Sequence, residues 1–326
     1  MLRLASNESA WGTSPFARKA FLREAALLHR YPEAGGPVLR KALAGHFRVQ
    51  PDQIILGAGS NEILILMALA YLEPGTSAVM SSTTFPIYHR AACTAGARAL
   101  VIPAKDYGPD LTAMAGAIKA DTHLVFLANP NNPTGAVVLD RELRAFLKDL
   151  PDSCLLVLDE AYGEFVSRRD FPDGSRLVRE GQNVVSVRTF SKMYGLAALR
   201  IGYGIVPPFA TEPIEKVRQP FNVGSPSVAA ALAALGDQAH LRRVRSAVRK
   251  EKARLVEGLV RRGLAPIPGE GNFGFVPMKD PAPIARFLLR RGIATRGLPG
   301  AGLRITVGRP AGNTRLLSAL KGWVHR

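Results

Sequence analysis

The residues best suited to chemistry lie just after a short apolar stretch near the middle of the chain. Residues 184–187, Val-Val-Ser-Val, predict a buried strand because β-branched residues dominate the run. Thr189, Ser191 and Lys192 follow it directly, and Arg200 comes eight residues after the lysine. Burial disfavours the charged form of a lysine, and the neutral amine is a nucleophile that forms Schiff bases with carbonyl groups. The sequence therefore predicts a lysine that binds an aldehyde or a ketone covalently.

Two groups of residues predict that the same ligand carries a phosphate. The hydroxyls of Thr189 and Ser191 and the guanidinium of Arg200 can all donate hydrogen bonds to phosphate oxygens. Residues 57–62, Gly-Ala-Gly-Ser-Asn-Glu, form a glycine-rich turn before an apolar helix, and a helix start attracts anions through its free N–H groups. By itself the turn is equally well explained as a simple N-cap. A ligand with both an aldehyde and a phosphate matches pyridoxal 5′-phosphate.

Short apolar strands alternate with helices through the first two thirds of the chain. This alternation predicts an α/β fold with a mostly parallel sheet that is covered by helices on both faces. Asn132 and Asp159 each follow one of these strands, as Lys192 follows another. The carboxyl ends of parallel strands meet at one edge of the sheet, where α/β proteins bind ligands. The strands are predicted at 54–56, 78–82, 99–102, 124–127, 155–158 and 184–187.

The pattern changes after residues 224–226, Gly-Ser-Pro, and predicts a smaller α+β unit. Its helices are expected at 227–235, 241–263, 281–291 and 312–324, around strands at 272–276 and 302–307. We therefore expect three parts: an N-terminal segment, 1–40, that packs with the small unit, a large cofactor-binding domain, 41–230, and the small domain, 231–326.

Composition restricts the classes of protein that the chain can belong to. Its 326 residues are 47% hydrophobic and 21% charged, which is typical of a globular protein. The start of the chain is polar and the longest apolar run, 63–72, is too short to span a bilayer, so we expect a cytoplasmic protein with no membrane partner.

Cys93 and Cys154 are expected to be reduced thiols. Much of the net charge of +17 falls in 241–262 at helical spacing, which indicates a solvated helix face and no nucleic-acid partner.

Eight segments, in the same order along the chain, resemble the pyridoxal-phosphate-dependent aminotransferases of fold type I. The most similar family is that of the histidinol-phosphate aminotransferases. The segments are Leu-Ala-Ser-Asn-Glu at 4–8, Arg-Tyr-Pro-Glu at 30–33, Gly-Ser-Asn-Glu at 59–62, Asn-Asn-Pro-Thr-Gly at 131–135, Asp-Glu-Ala-Tyr at 159–162, the lysine segment at 188–200, Arg-Gln-Pro-Phe-Asn-Val at 218–223 and Leu-Arg-Ile-Thr-Val-Gly at 303–308. The resemblance implies a seven-stranded, mostly parallel sheet between helices and a small α+β domain.

The resemblance also assigns the cofactor-binding residues. It implies that Lys192 forms the Schiff base and moves the Cα proton, and that Asp159 keeps the pyridine nitrogen protonated. Asn132 and Tyr162 would donate hydrogen bonds to the ring's phenolate oxygen, and Tyr88 would stack on the ring, with a core position as the alternative for Tyr88. The implied phosphate ligands are Gly59, Ser60 and Asn61 through their turn, Thr189, Ser191 and Arg200 through their side chains, and Tyr31 from the other subunit of a homodimer.

The implied substrate residues are Asn7, Tyr31, Arg296 and Arg304. Arg304 would bind the α-carboxylate of an amino acid, with Asn7 nearby, and Arg296 would bind a substrate phosphate or would be a solvated charge on a strand. The expected activity is transamination between histidinol phosphate and 2-oxoglutarate, in histidine biosynthesis. A threonine-phosphate decarboxylase of cobalamin biosynthesis and an aromatic amino-acid aminotransferase stay open as alternatives. No metal is expected.

Overall fold

The computed structural model describes residues 1–323 and contains twelve helices and twelve strands in that range. The strands are β1 Leu2–Arg3, β2 Ile54–Gly57, β3 Ser77–Ser81, β4 Arg98–Ile102, β5 Thr122–Ala128, β6 Leu155–Asp159, β7 Val184–Thr189, β8 Gly202–Ile205, β9 Phe273–Pro277, β10 Ile293–Ala294, β11 Arg296–Leu298 and β12 Gly302–Thr306. The helices are α1 Pro15–Glu24, α2 Pro37–Phe47, α3 Ser60–Tyr71, α4 Ile87–Thr94, α5 Leu111–Gly116, α6 Asp140–Lys148, α7 Gly174–Arg179, α8 Pro208–Val217, α9 Ser225–Gly236, α10 Gln238–Val260, α11 Ala282–Arg290 and α12 Pro310–Ala319.

Seven strands form the large sheet in the spatial order β2-β8-β7-β6-β5-β3-β4. Strand β8 is antiparallel to both of its neighbours, and the strands from β7 to β4 are parallel to one another. The predicted α/β class and the mostly parallel seven-stranded sheet are confirmed. The strand pattern did not predict β8, because Gly202 and Gly204 weaken a strand signal. A Cβ atom at Gly202 would lie 2.5 Å from the backbone nitrogen of Ser60, so the turn before α3 requires this glycine.

Alternate residues of the parallel strands pack on opposite faces of the sheet. In β6, Leu155 and Val157 contact the apolar cluster under α3, α4 and α8, while Leu156 and Leu158 contact the cluster under α6 and α7. Burying a leucine or valine side chain contributes about 1.5–3 kcal/mol, so a strand buried on both faces is held firmly in register. Asp159 ends β6 and is buried with it, which fixes the position of its carboxyl group at the edge of the sheet.

The C-terminal part of the chain forms a second, smaller sheet with the order β11-β12-β9, in which neighbouring strands are antiparallel. The start of the chain reaches this unit, since β1 pairs in parallel with β10 and Leu4 joins its apolar core. Helix α1, by contrast, packs on α9. The boundary predicted between residues 230 and 231 falls inside the continuous helix α9, so the division into domains stays a prediction there.

All four helices predicted after residue 224 differ in their bounds from the structure, and α10 and α12 differ most. Helix α10 begins at Gln238, before the predicted residue 241, because the carboxylate of Asp237 accepts a hydrogen bond from the backbone N–H of His240 and caps the helix. Its apolar residues face the core and most of its arginines are exposed. Helix α12 ends at Ala319 and a 3₁₀ turn, Leu320–Gly322, follows; the predicted helix end at residue 324, and with it the last three residues of the predicted small domain, lie outside the described residues.

Candidate active site

The carboxyl ends of β5, β6 and β7 open on a cavity of about 280 Å³. Asn132, Asp159 and Lys192 all line it, so the structure brings together the three residues that the sheet topology was expected to gather. The other lining residues come from both sheets and from the start of the chain: Ser6, Ser60, Asn61, Phe85, Ala128, Pro130, Ala161, Tyr162, Thr189, Ser191, Ala197, Arg200, Arg296 and Arg304.

Asp159 is the buried anion of the site. Its Oδ1 accepts a hydrogen bond of 3.0 Å from the backbone N–H of Ala161, and its Oδ2 accepts one of 2.9 Å from the hydroxyl of Tyr88. Burial raises the pKa of Asp159 to about 6, despite these hydrogen bonds and the attraction of Lys192. A buried carboxylate is costly without a cationic partner, and the protonated nitrogen of a pyridine ring would be such a partner.

Lys192 lies on the same cavity, between the N-terminal segment and Tyr162. Its Nζ donates a hydrogen bond of 3.2 Å to the carbonyl oxygen of Ser6 and lies 5.7 Å from the centre of the Tyr162 ring. Strand β7 and the turn after it place this amine, because Thr189 ends the strand and Ser191 and Lys192 follow at once. A primary amine beside a buried carboxylate fits a ligand with an aldehyde and a cationic ring nitrogen.

A group of hydrogen-bond donors next to Lys192 forms a candidate phosphate cradle. Thr189 Oγ1 donates to Ser191 Oγ at 3.0 Å, and Arg200 Nη1 donates to the same Ser191 oxygen at 3.3 Å. Helix α3 begins at Ser60 in the wall of the cavity, and no side chain within the described residues caps its first N–H groups. These N–H groups, two hydroxyls and a guanidinium are the donor set that a phosphate requires.

Gly59 lets the guanidinium of Arg200 lie against the turn before α3. Its φ of +80° lies in the left-handed region, and a Cβ atom at this position would overlap Arg200 Nη2. Arg200 Nη2 donates to the carbonyl oxygen of Ala58 at 3.2 Å, which holds the guanidinium in place. The space that a side chain would fill is therefore occupied by the guanidinium of Arg200. The residues present fit both ends of pyridoxal 5′-phosphate: Lys192 and Asp159 suit its aldehyde and ring nitrogen, and the donors around Arg200 suit its phosphate.

The structure corrects the expected position of Tyr88. This side chain is fully buried behind Asp159, and its ring stacks on Phe126 with 5.2 Å between centroids and 5° between planes. Phe85, three residues before Tyr88, lines the cavity instead. The segment Thr-Phe-Pro-Ile-Tyr at 84–88 holds two aromatic residues, and α4 begins at Ile87, so the turn before the helix directs Phe85 to the cavity and the helix directs Tyr88 to the core. The sequence pattern alone did not distinguish the two.

Asn7 also lies elsewhere than expected. It is fully buried behind the cavity wall, to which Ser6 contributes, so Asn7 does not reach the substrate space itself. Its Nδ2 donates a hydrogen bond of 2.9 Å to the hydroxyl oxygen of Tyr162, and its backbone adopts a φ of +53° that turns the chain at this point. The segment 4–8 does contribute to the cavity, through Ser6. The sequence pattern does not indicate which residues of this segment face the cavity.

Two arginines of the small sheet face the cavity from its open side. Arg296 on β11 lies directly opposite Arg304 on β12 in the antiparallel ladder. Arg304 Nη1 donates to Asn132 Oδ1, and Arg304 Nη2 donates to the carbonyl oxygen of Ala5 at 2.8 Å. Arg304 Nε is buried and, among residues 1–323, has no hydrogen-bond partner. Like charges opposite each other on a ladder are unfavourable, so this pair indicates an anionic ligand.

Tyr31 lies outside this cavity. Its side chain is 85% exposed and contacts the ring of Phe221, with 5.3 Å between centroids. The structure of one chain thus separates Tyr31 from the residues with which it was expected to act. A contact between Tyr31 and a bound phosphate would require a second copy of the chain.

Comparisons with known proteins agree with this site. The family model described as Aminotransferase class I and II matches residues 1–320. Histidinol-phosphate aminotransferase 2 of Pseudomonas fluorescens is 45% identical over 326 aligned residues, which cover 98% of this chain and 88% of the relative. The crystal structure of histidinol-phosphate aminotransferase from Sinorhizobium meliloti in complex with pyridoxal-5′-phosphate has a TM-score of 0.91 and 33% identity, and the match covers 98% of this chain and 89% of that one.

The chain therefore belongs to the class I and II aminotransferases. It is an enzyme that uses pyridoxal 5′-phosphate as its cofactor. The crystal structure of L-threonine-O-3-phosphate decarboxylase from Porphyromonas gingivalis is also similar, with a TM-score of 0.85 at 23% identity and 98% coverage of both chains, and this likeness concerns the fold alone. Among the helices of residues 1–323, none has the length and apolar character needed to span a membrane.

Proposed function

We propose that this enzyme transfers the amino group of histidinol phosphate to 2-oxoglutarate. The observation that carries the proposal is the pair Arg296 and Arg304, which brings two cations to one wall of the cavity that also holds Lys192. A donor with a phosphate and an acceptor with two carboxylates both need such charges, because guanidinium groups bind phosphate and carboxylate bidentately. The relative from Pseudomonas fluorescens that carries this activity in its name supports the same substrate.

The chain's own residues supply positioning and proton transfer in this proposal. Pyridoxal 5′-phosphate, when bound, supplies a carbonyl carbon for the amine and a ring that accepts the electron pair of Cα. Lys192 Nζ would take the proton from the substrate's Cα and pass it to the cofactor carbon that bears the amine, and in the reverse half-reaction it would move a proton the opposite way. The carboxylate of Asp159 holds a proton on the ring nitrogen, while Asn132 and Tyr162 donate hydrogen bonds to the ring oxygen. Thr189, Ser191, Arg200 and the start of α3 anchor the phosphate.

The active enzyme in this proposal is a homodimer, in which Tyr31 of each subunit reaches the phosphate bound by the other. Exposed apolar side chains near Tyr31 in the sequence, and Phe221 in contact with its ring, support the homodimer, because exposed apolar side chains are typical of an interface. These side chains are Phe16, Leu22, Leu27, Leu28, Val38 and Phe221. The proposed location is the cytoplasm, since both cysteines of the chain, Cys93 and Cys154, are free thiols, as is usual in that compartment.

The test is a half-reaction screen with the holoenzyme and single amine donors. The visible absorbance of the bound cofactor bleaches when an amino group is transferred to it. We expect bleaching by histidinol phosphate and slower or no bleaching by phenylalanine and by threonine phosphate. Rapid bleaching by phenylalanine would favour an aromatic amino-acid aminotransferase. Release of carbon dioxide from threonine phosphate would favour the decarboxylase. Either result would overturn the proposed substrate.

A further inference from the structure

Strand β12 of the small sheet connects to Tyr162, which lies in the turn after β6, through the side chain of Asn7. The backbone N–H of Asn7 donates to Thr306 Oγ1 at 2.9 Å, and Thr306 Oγ1 donates in turn to Asn7 Oδ1 at 3.0 Å. Asn7 Nδ2 then donates to the hydroxyl oxygen of Tyr162 at 2.9 Å. Asn7 and Thr306 are both buried, at 0% and 3% exposure, so water does not compete for these bonds.

The direction of each bond follows from the one before it. Thr306 accepts from a backbone N–H, which can only donate, so its own hydroxyl proton is free to go to Asn7 Oδ1. An amide whose oxygen accepts this proton must present its NH₂ group on the other side, which is the side of Tyr162. Tyr162 therefore accepts at its oxygen and keeps its own proton for another acceptor. The cavity that Tyr162 lines is where such an acceptor binds.

We infer that Asn7 and Thr306 are positioning residues that orient the hydroxyl proton of Tyr162 toward the cofactor's ring oxygen. The inference rests on the proposed role of Tyr162 and adds the residues that set its polarity. A donor on the tyrosine oxygen also strengthens the bond that the tyrosine donates, because hydrogen bonds in a chain polarise one another. Asn7 suits this place, since asparagine tolerates the left-handed backbone seen here at a φ of +53°.

Two further contacts limit how Asn7 and Tyr162 can move. Asn272 Nδ2 donates to the carbonyl oxygen of Asn7 at 3.0 Å, and the ring of Tyr162 packs edge-on against Phe273 at 5.1 Å. The charged groups that face Tyr162 are Lys192, with its Nζ 5.7 Å from the ring centre, and Arg304, whose electrostatic interaction with Tyr162 favours the charged guanidinium. Substitutions at Thr306 and Asn7 leave the charges of Lys192 and Arg304 in place.

The experiment titrates the visible absorbance of the holoenzyme against pH. The midpoint of this titration reports how strongly the ring oxygen is stabilised as an anion. We expect Thr306→Val, which removes the hydroxyl at constant shape, to raise the midpoint by about half a pH unit. Thr306→Ser keeps the hydroxyl and should restore the wild-type midpoint. Asn7→Gly keeps the left-handed backbone, removes the amide and should raise the midpoint in the same direction, which covers the case in which Thr306→Val fails to fold.

A matched control and a double-mutant cycle separate this inference from the proposed function. Thr122→Val removes an equally buried hydroxyl at the start of β5 and should leave the midpoint unchanged. Tyr162→Phe should raise the midpoint on its own, and adding Thr306→Val to it should have no further effect. An unchanged midpoint in Tyr162→Phe would overturn the role of Tyr162. A shifted midpoint in Tyr162→Phe with none in Thr306→Val and Asn7→Gly would overturn the present inference alone.

Discussion

The hydroxyl of Tyr88 donates a hydrogen bond of 2.9 Å to Oδ2 of Asp159 from behind the cavity wall. Burial raises the pKa of Tyr88 well above its usual range, so this hydroxyl remains a donor at every working pH. The hydroxyl of Tyr88 donates to Oδ2 and the backbone N–H of Ala161 donates to Oδ1, so each carboxylate oxygen of Asp159 accepts one hydrogen bond. The carboxylate can still accept a hydrogen bond from the cavity, where the cofactor's ring nitrogen would bind.

We predict that Tyr88→Phe weakens cofactor binding at neutral pH. The substitution keeps the stacking on Phe126 and removes the one side-chain hydrogen bond that lowers the pKa of Asp159. The pKa of Asp159 then rises further above its present value of about 6, and the carboxyl group holds a cation less well. A hydrogen bond to a charged group is worth about 1.5–3 kcal/mol, so we expect at least a roughly tenfold higher Kd for the cofactor, measured by equilibrium dialysis at pH 7.

Tyr203→Phe is the control for this change. Tyr203 is also fully buried, and its hydroxyl has no hydrogen-bond partner in the described part of the chain. Removing that hydroxyl should leave cofactor affinity unchanged. Equal affinities in the Tyr88 variant, the Tyr203 variant and the wild type would contradict the prediction.

In the cofactor-free protein, the pH dependence of the unfolding free energy should reveal the titration of the Asp159 carboxyl group. Its pKa is raised by burial from 3.8 to about 6, so the folded state holds the proton more tightly than the unfolded state does. The resulting stabilisation is complete at low pH and is lost as the pH rises through about 6. Between pH 4.5 and 7.5 this loss amounts to about 2 kcal/mol of unfolding free energy.

Urea unfolding of the wild type and of Asp159→Asn at these two pH values measures this loss. An asparagine side chain does not ionise, so the variant should lack the loss that Asp159 causes. The comparison between the two proteins is necessary because burial also raises the pKa of Glu164, to about 7, and Glu164 titrates in an overlapping range in both. The same pH dependence in wild type and variant would show that Asp159 titrates as it does in the unfolded chain.

Gly59→Ala should disrupt the phosphate cradle. The new methyl group would overlap Arg200 Nη2 and must displace the guanidinium, which loses charge-assisted hydrogen bonds to the phosphate. We expect cofactor affinity to fall by roughly tenfold to a hundredfold, again by equilibrium dialysis.

The left-handed backbone adds its own cost, which a second glycine controls. Gly181 has a φ of +76°, and a Cβ atom there would meet nothing within 4 Å among the described residues. Gly181→Ala should therefore lower the free energy of unfolding by about 1 kcal/mol and leave the Kd for the cofactor unchanged. If both variants bind the cofactor as the wild type does, the cradle does not depend on Gly59.

Arg296→Ala should affect the phosphorylated donor selectively. Removing a guanidinium that binds the substrate phosphate should lower the rate of the histidinol phosphate half-reaction by roughly a hundredfold at subsaturating concentration. Arg242→Ala removes the same charge from the exposed face of α10 and should leave this rate unchanged. An unchanged rate in Arg296→Ala would make Arg296 a solvated strand residue, which was the alternative interpretation of its sequence position.

Mixing two inactive variants tests the shared active site. Lys192→Ala and Tyr31→Ala should each be inactive or nearly so as separate proteins. Dimers with one subunit of each kind contain one site with both residues intact, so co-expression should restore about a quarter of the wild-type activity when subunits pair at random. Activity that stays at the level of the separate variants would contradict a contribution of Tyr31 to the partner's site.

The sequence predicts the central sheet, and the meeting of Asn132, Asp159 and Lys192 at one cavity, for a physical reason. Strands buried on both faces are continuous apolar runs, and a polar residue that ends such a run, such as Asp159, is conspicuous. The turn that holds Gly59 and Ser60 and the segment from Thr189 to Arg200 are short, so local spacing already determines which groups meet.

Contacts between distant segments could not be predicted in this way. Asn7 and Thr306 are 299 positions apart, and their hydrogen bonds depend on how the start of the chain packs on the small sheet. The choice between Phe85 and Tyr88 likewise depends on where α4 begins and on the stacking of Tyr88 on Phe126, a residue 38 positions away. Helix and strand propensities and hydrophobic periodicity do not determine the contact between Asn7 and Thr306 or the placement of Phe85 and Tyr88.

The pairing of Asn7 with Thr306 has a consequence for biosynthesis of the enzyme. The ribosome makes the phosphate cradle and Lys192 well before it makes β12, and domains fold as units from the N-terminal side during synthesis. Lys192 and the residues of the phosphate cradle are therefore synthesised before Thr306, on which the orientation of the Asn7 amide depends in our inference. A nascent chain that still lacks β12 would lack this contact to the residues at its start.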